Sequence, residues 1–321
     1  MNPGKSKCLK NTSLVLAGPT SAGKSETALR LAEQYNCPVI SADARQCYKY
    51  LDIGTGKISS DQLQRIPHYN ISIFPPDQPD TAADFARRCI DWEEEIARQS
   101  KLLLYAGGST LHLQSILYPL DHIPAANSEN IRRLEERAKT EGIEVLYEEL
   151  KNTDPDYIKK MDGMNRQRII RALDVWMQTG QPFSSFHQQK VAKPQKDLLL
   201  ILCPERQLLH ERINNRVDKM INSGLIDEVK SILEMGYSPD LQSLQTVGYR
   251  EVIAYLSGNL GYSEMIEKIK TQTRRYAKRQ ITWFRRWKDA HWIDSGQSIT
   301  DILSEIEPLI ESALQNRNSN G

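Results

Sequence analysis

Eight residues near the N-terminus, Gly18-Pro19-Thr20-Ser21-Ala22-Gly23-Lys24-Ser25, have the types and spacing needed to hold a phosphorylated compound. They fit G-x-x-x-x-G-K-S. Gly18 and Gly23 let the backbone curl so that its N–H groups point inward, Lys24 brings a positive charge to the terminal phosphate, and Ser25 offers a hydroxyl to Mg²⁺. A short apolar run, 14–17, precedes the loop, and Ala28, Leu29, Leu31 and Ala32 follow it at helical spacing. The loop therefore opens a helix, whose N-terminal dipole favours anions. It does not say which phosphorylated compound is held.

A carboxylate stands close by in the expected fold. VISAD places Asp43 just past the end of a second strand, at the sheet edge where ligands of parallel α/β folds sit. Two roles are open to it: a general base acting on a nucleophile brought to the phosphate compound, or a helix cap or holder of metal-bound water. A nucleotide hydrolase usually ends another apolar strand in an Asp that serves Mg²⁺. Here the candidate strand, KLLLYAGGS, ends in Ala-Gly-Gly. After Asp43 comes ARQCYKYLDIGTGK, mostly polar with aromatics between. A buried turn has no need of Arg45, Gln46, Tyr48, Lys49 and Lys57 together.

Three basic features follow. KTQTRRYAKRQITWFRRWK, residues 270–288, carries eight positive residues and no acid. On a helix, Tyr276, Gln280, Trp283 and Trp287 fall near one face, which can dock, while Arg275, Lys278, Arg279 and Arg286 can meet a polyanion. The bland alternative is a solvated amphipathic helix. In NRQRIIRAL, Arg168 and Arg171 share a helical face. In HERINNRVDKM, Arg212 and Arg216 are four apart and leave the ligand edge of the sheet, as a cationic clamp or as a salt-bridge face with Glu211 or Asp218.

The elements that must position these residues are strand-like runs at 14–17, 38–41, 70–73, 101–105 and 197–202, with helical patterns between most of them. That alternation predicts an α/β fold: a phosphate-loop core with a parallel sheet flanked by helices. About ninety residues separate the last two runs, far more than a crossover helix needs. They are charged and helical, with Gly142 and Gly180 as helix stops. The expected organisation is core 1–119, helical insertion 120–196, and core again over 197–321 with basic C-terminal helices. The insertion ends in the polar stretch HQQKVAKPQK, and the chain in the polar tail QNRNSNG.

The 321 residues are 39% hydrophobic and 26% charged, with a net charge of +1, as in an ordinary globular protein. The longest apolar runs are too short to span a membrane. MNPGKSKCLKNTS does not read as a signal peptide. Five cysteines, Cys8, Cys37, Cys47, Cys89 and Cys203, include no C-x-x-C pair, which fits a reducing cytoplasm and argues against structural zinc. A cytoplasmic monomer is the expectation.

Taken in order, GPTSAGKS, VISADARQCYKYLDIGTGK, IPHYNISIFPPDQPDTAADFA, LLLYAGGSTLHL, RQRIIRALDVWMQTG, RVDKMINSGLIDEV, QTVGYREVIAYLSG and RRYAKRQITWFRRW resemble the tRNA dimethylallyltransferase (tRNA isopentenyltransferase) family over nearly the whole chain. Two departures stand out. The family's Gly-Gly-Thr-Gly-Leu-Tyr reads Gly107-Gly108-Ser109-Thr110-Leu111-His112 here, and its Asp-Ser-X-Gln reads Asp43-Ala44-Arg45-Gln46. The chain lacks the Cys/His pairs of a C-terminal zinc finger and so is similar to the shorter bacterial form.

The resemblance implies transfer of a dimethylallyl group from dimethylallyl diphosphate to N6 of adenosine 37, beside the anticodon. The loop 18–25 would hold the diphosphate leaving group, with Mg²⁺ on Ser25. Asp43 matches the base, Thr20 a loop threonine beside the reacting centre, and Arg216 a diphosphate ligand. Asp43, Ala44, Arg45, Gln46, Ser109, Gln167, Arg168, Ile169, Ile170 and Arg171 match stretches that contact tRNA, and the insertion would grip the anticodon stem-loop. Lys278 and Arg279 are added from the basic tract as phosphate contacts. Rival readings are an adenylate isopentenyltransferase, a small-molecule kinase and a noncatalytic RNA-binding protein.

Overall fold

The central strands form at largely apolar runs, as strands covered on both faces require. In the computed structural model, which describes residues 11–118, 123–187 and 197–319, the elements run β1 (Thr12–Ala17), α1 (Lys24–Tyr35), β2 (Val39–Ser41), α2 (Ser60–Arg65), β3 (His68–Tyr69), α3 (Ala82–Ile96), β4 (Leu102–Gly107) and α4 (Thr110–Leu117). Then come α5 (Ser128–Thr140), α6 (Ile143–Thr153), α7 (Pro155–Lys160), α8 (Arg166–Thr179) and a 3₁₀ turn at Phe183–Phe186. The chain continues through β5 (Leu198–Leu202), α9 (Arg206–Asn222), α10 (Leu225–Glu234), α11 (Tyr249–Leu256), α12 (Tyr262–Phe284), β6 (His291–Ile293) and α13 (Ile299–Ser319).

The strands make one sheet of order β3-β2-β4-β1-β5-β6, every neighbouring pair parallel. Alternation along each strand splits the core in two. Leu14, Leu16, Leu102, Leu104, Leu198 and Leu200 face Leu31 and Ile306. Val15, Ala17, Leu103, Tyr105, Leu199 and Ile201 face Phe85, Leu113, Phe284 and Trp287. A further cluster joins Tyr48 and Leu51 to Val217, Val229, Tyr249 and Ile269. With all strands parallel, the loops after β1, β2 and β4 leave from one edge, and those loops carry the phosphate motif, Asp43 and Ser109.

Two expectations on the strands are corrected. Residues 70–73 leave the sheet: Asn70 (φ 66°) and Ser72 (φ 51°) adopt left-handed conformations that end the two-residue β3, and Phe74 forms only an isolated bridge to Tyr48. The sixth strand, β6, has no counterpart in the sequence reading, because two of its three residues, His291 and Trp292, are exposed and break any apolar run.

The chain divides into two compact units, Met1–Tyr118 with Pro194–Gly321, and Pro119–Lys193. In the second, α5, α6 and α8 pack around Leu134, Leu146, Leu150, Ile169, Ile170 and Leu173. Gly180 ends α8 as its C-cap (φ 66°), while Gly142 opens α6 as its N-cap (φ 92°). Cys37, Cys47, Cys89 and Cys203 are not joined in disulfides; Cys8, residues 1–10 of the N-terminal stretch, residues 188–196 of the polar boundary stretch and the last two residues of the tail lie outside the described residues. Among the described residues no helix is long and apolar enough to cross a membrane, and no three His, Cys, Asp or Glu side chains gather as a metal site.

Candidate active site

The phosphate loop is a tight structure built on two glycines. A side chain at Gly18 would run into the Leu202 carbonyl at the end of β5, and Gly23, at φ 90°, is the N-cap of α1. Lys24 Nζ folds back to donate to the Pro19 carbonyl at 2.7 Å. Gln280 of α12, 3% exposed, locks the loop to its neighbour. Its Oε1 accepts the Thr20 N–H at 2.9 Å and its Nε2 donates to the Gly108 carbonyl at 2.6 Å.

Two adjoining cavities meet at this loop. One, about 930 Å³, is lined by Ser21, Gly23, Lys57, Arg212 and Lys219 among others. The second, about 620 Å³, is lined by Thr20, Asp43, Ala44, Arg45, Gln46, Gly108, Thr246, Tyr276, Arg279 and Gln280 among others. Both are lined by Lys24, Ser25, Gly56, Arg216 and Met220, so the two cations mark their junction. Desolvation, then the Arg216 charge, depresses the Lys24 ammonium to about 7, with Asp43 opposing. Arg216 is desolvated too, with Asp43 the carboxylate that supports its charge. Its Nη2 donates to the Thr55 carbonyl at 3.1 Å.

Asp43 uses one oxygen for structure. Oδ1 accepts the N–H groups of Arg45 (2.8 Å) and Gln46 (3.2 Å), tying off the turn after β2. Oδ2 takes no hydrogen bond among the described residues. Asp43 thus caps a turn rather than a helix, and its second oxygen stays available to a ligand. Behind it, Asn70 Nδ2 donates to the Ser41 carbonyl (2.9 Å) and contacts that of Asp43 (3.4 Å). Asn70 Oδ1 accepts from Arg88, whose guanidinium grips Asp80 with both Nη atoms at 2.8 and 2.9 Å. Burial would raise the Asp80 carboxyl, but His112 and Arg88 override it and hold it at about 2. Ser109, at the start of α4, points its hydroxyl at His112 Nδ1, 3.1 Å away.

The remaining sequence-marked residues separate into two sets. Arg45 is turned toward Thr246 (Nε to Oγ1, 3.0 Å), and the Gln46 amide spans Ser41 and the carbonyls of Thr55 and Gly56. Lys278 and Arg279 are exposed on α12, and the Arg279 guanidinium lies over the Tyr276 ring at 5.8 Å. The Tyr276 hydroxyl is raised to about 12, first by desolvation and then by Asp43, so it stays protonated. In the helical unit Gln167 and Arg168 are exposed. Ile169 and Ile170 are core residues, 0% and 3% exposed, and offer no side chain to a ligand. Arg171 pairs with buried Asp174 and the Pro124 carbonyl.

Sequence patterns missed Gln280 as a loop tie, because its polarity was absorbed into the docking face of a basic helix. They also missed Asn70, Asp80 and Arg88. Tyr276 was placed on that docking face, yet it stands at the cavity mouth, 38% exposed.

Fold and loop together define a phosphate-loop α/β protein with a carboxylate lining the same cavity as the phosphate loop. Residues 46–287 match the family described as IPP transferase. Relatives named tRNA dimethylallyltransferase include that of Thermoanaerobacter sp. strain X514, 40% identical over 300 residues and covering 91% of this chain and 95% of the relative. That of Clostridioides difficile strain 630 is 37% identical over 306 residues, with 94% and 98% covered. Among solved structures, the tRNA isopentenylpyrophosphate transferase of Bacillus halodurans superposes with a TM-score of 0.71 at 32% identity, over 96% of this chain and 98% of that one. A eukaryotic dimethylallyltransferase acting on tRNA gives 0.78 at 25% identity, over 94% and 80%. The chain belongs to the IPP transferase family, the family of these tRNA dimethylallyltransferases.

Proposed function

We propose that this chain transfers the dimethylallyl group of dimethylallyl diphosphate to N6 of adenosine 37, next to the anticodon of tRNA, releasing diphosphate. The observation that carries the reading is the pairing of two desolvated cations, Lys24 and Arg216, that line both cavities, while Asp43 lines only one of them. Two half-buried, largely desolvated positive charges held mainly by carbonyls call for an anionic ligand. A diphosphate at the cavity junction has the loop N–H groups, Lys24 and Arg216 around it, and its prenyl carbon is directed toward Asp43.

An adenine amino group is a poor nucleophile, because its lone pair is delocalised into the ring. As the C–N bond forms, Asp43 Oδ2 accepts the amino proton while Oδ1 stays fixed by its two backbone N–H donors. The allylic carbon tolerates cationic character, so stabilising the departing diphosphate is the large electrostatic contribution. Thr20, tied to Gln280 through its backbone, lines the cavity beside the reacting centre. Ser25 lines both cavities and suits a Mg²⁺ ion held by one hydroxyl and the donor's own oxygens rather than by a protein cage. Bound there, Mg²⁺ would neutralise charge on the leaving group.

The target base has to leave its stack to reach this cavity, at a cost of about a few kcal/mol, less in a loop than in a duplex. Gln167 and Arg168 of the helical unit, with Ser109, Lys278 and Arg279 of the core, are the groups assigned to the anticodon stem-loop. Incubation with Mg²⁺, labelled dimethylallyl diphosphate and either unmodified tRNA or AMP tests the reading. Label on N6 of adenosine 37 with AMP untouched supports it. Label on AMP alone, or on neither, overturns it.

A further inference from the structure

The segment Asp52-Ile53-Gly54-Thr55-Gly56 belongs to neither a helix nor a strand, yet the Arg216 guanidinium rests on it. Arg216 Nη2 donates to the Thr55 carbonyl at 3.1 Å, and a side chain on Gly56 (φ 61°) would collide with the same guanidinium. An irregular segment can place a charge reproducibly only if its own backbone is anchored.

The anchor is a single carboxylate on α10. Glu228 Oε2 accepts the N–H groups of Asp52 (3.1 Å) and Ile53 (2.7 Å), and Oε1 accepts those of Gly54 (3.2 Å) and the Tyr249 hydroxyl (2.6 Å). Three consecutive backbone N–H groups converging on one carboxylate form a nest for an anion, filled here by the protein's own side chain. The Tyr249 ring packs so close to Gly54 that a Cβ there would clash with it, which closes the segment from the other side. Charge-assisted hydrogen bonds of this kind are roughly twice as strong as neutral ones. Glu228 itself is not among the residues that line the two cavities.

We propose that Glu228 is a positioning residue for Arg216: it fixes the 52–56 segment so that the Thr55 carbonyl holds the guanidinium at the junction where the donor's diphosphate binds. The proposal rests on the reading of Arg216 as a diphosphate ligand. Donor affinity then depends on a residue that touches neither substrate, while tRNA affinity does not.

The test uses the whole chain, inorganic pyrophosphate with Mg²⁺ as the probe, and steady-state kinetics. Glu228→Gln keeps the shape but replaces one charged acceptor oxygen with a donor. Its pyrophosphate affinity and KM for dimethylallyl diphosphate are expected to worsen about tenfold, the scale of a lost charge-assisted bond, with KM for tRNA unchanged. Arg216→Lys loses the fork that reaches Thr55, and Glu228→Gln added to it is expected to cost nothing further, because both act through one contact. Tyr249→Phe, which leaves the carboxylate on its three N–H donors, gives a smaller shift in the same direction and serves if Glu228→Gln fails to fold. A lowered melting temperature with unchanged donor KM, or losses that add in the double variant, would overturn the proposal. If Arg216→Lys itself leaves pyrophosphate affinity unchanged, the clamp reading and this proposal fall together, while transfer by the unaltered enzyme stands.

Discussion

The arginines of the helical unit and the two cations of the phosphate site keep different company. In the helical unit Arg137 pairs with Glu141 and Glu149, Arg166 with Glu135, and Arg171 with Asp174. In the core unit Lys24 and Arg216 form no ion pair among the described residues; each donates to a backbone carbonyl, Pro19 and Thr55 respectively. A cation matched by its own carboxylate is neutralised by the fold and adds rigidity. A desolvated cation held only by a carbonyl has its charged form disfavoured, and an anionic ligand restores it. Basic side chains thus differ in what neutralises them: carboxylates of the fold at Arg137, Arg166 and Arg171, only backbone carbonyls at Lys24 and Arg216.

The largest effect expected is at the carboxylate facing the cations. Asp43→Asn keeps the Oδ1 acceptor for Arg45 and Gln46 and removes the proton acceptor. Its kcat should fall by about 10²–10⁴, with the melting temperature and tRNA affinity near those of the unaltered protein. Equal losses in kcat and tRNA affinity would move Asp43 from chemistry to binding.

Next comes a crossed pair within α8. Arg171→Ala leaves Asp174, 0% exposed, without its guanidinium and should cost about 1–3 kcal/mol of stability in denaturant titration. Arg168→Ala should leave stability unchanged and weaken tRNA binding, with a salt dependence smaller by about one phosphate contact. The reverse pattern would show that pairing with an acid does not mark a structural arginine here.

A pH effect sharpens the contrast. Lys24, depressed to about 7 by desolvation and by Arg216, is increasingly neutral above that pH in the free protein. A bound diphosphate favours the charged form, so binding takes up a proton there. Pyrophosphate affinity, followed by calorimetry between pH 7 and 9, should weaken with rising pH by at most about tenfold per unit. A flat profile would place the diphosphate away from Lys24. The smallest effect is at the surface: neutralising exposed Lys278 and Arg279 together should flatten the salt dependence of tRNA binding by up to about two phosphate contacts. An unchanged slope would remove them from the interface.

What the sequence revealed follows how local each feature is. The phosphate loop occupies eight consecutive residues, and of five strand-like runs four coincide with strands. The segment 70–73, Asn-Ile-Ser-Ile, alternates polar and apolar as a strand can, but the left-handed turns at Asn70 and Ser72 cannot be read from side-chain pattern. Gln280 lies 260 residues from the Thr20 backbone that it holds, and no spacing rule reaches that far. In 167–171 the helical period correctly grouped Arg168 with Arg171. It could not foresee that Arg171 faces an acid one turn later while Ile169 and Ile170 turn inward. Glu228 was legible only as a charged residue on an amphipathic helix, because its partners are backbone N–H groups.

The central claim is that the phosphate loop holds a leaving group and that carbon, not phosphorus, is transferred. The most direct measurement is one reaction of the purified protein with unmodified tRNA and donor labelled with ¹⁴C in the dimethylallyl group and ³²P in the diphosphate. Transfer of carbon puts ¹⁴C on tRNA adenosine 37 and all ³²P in free diphosphate, in equal amounts. Phosphorus label in the tRNA, or diphosphate released without carbon on the tRNA, would contradict it.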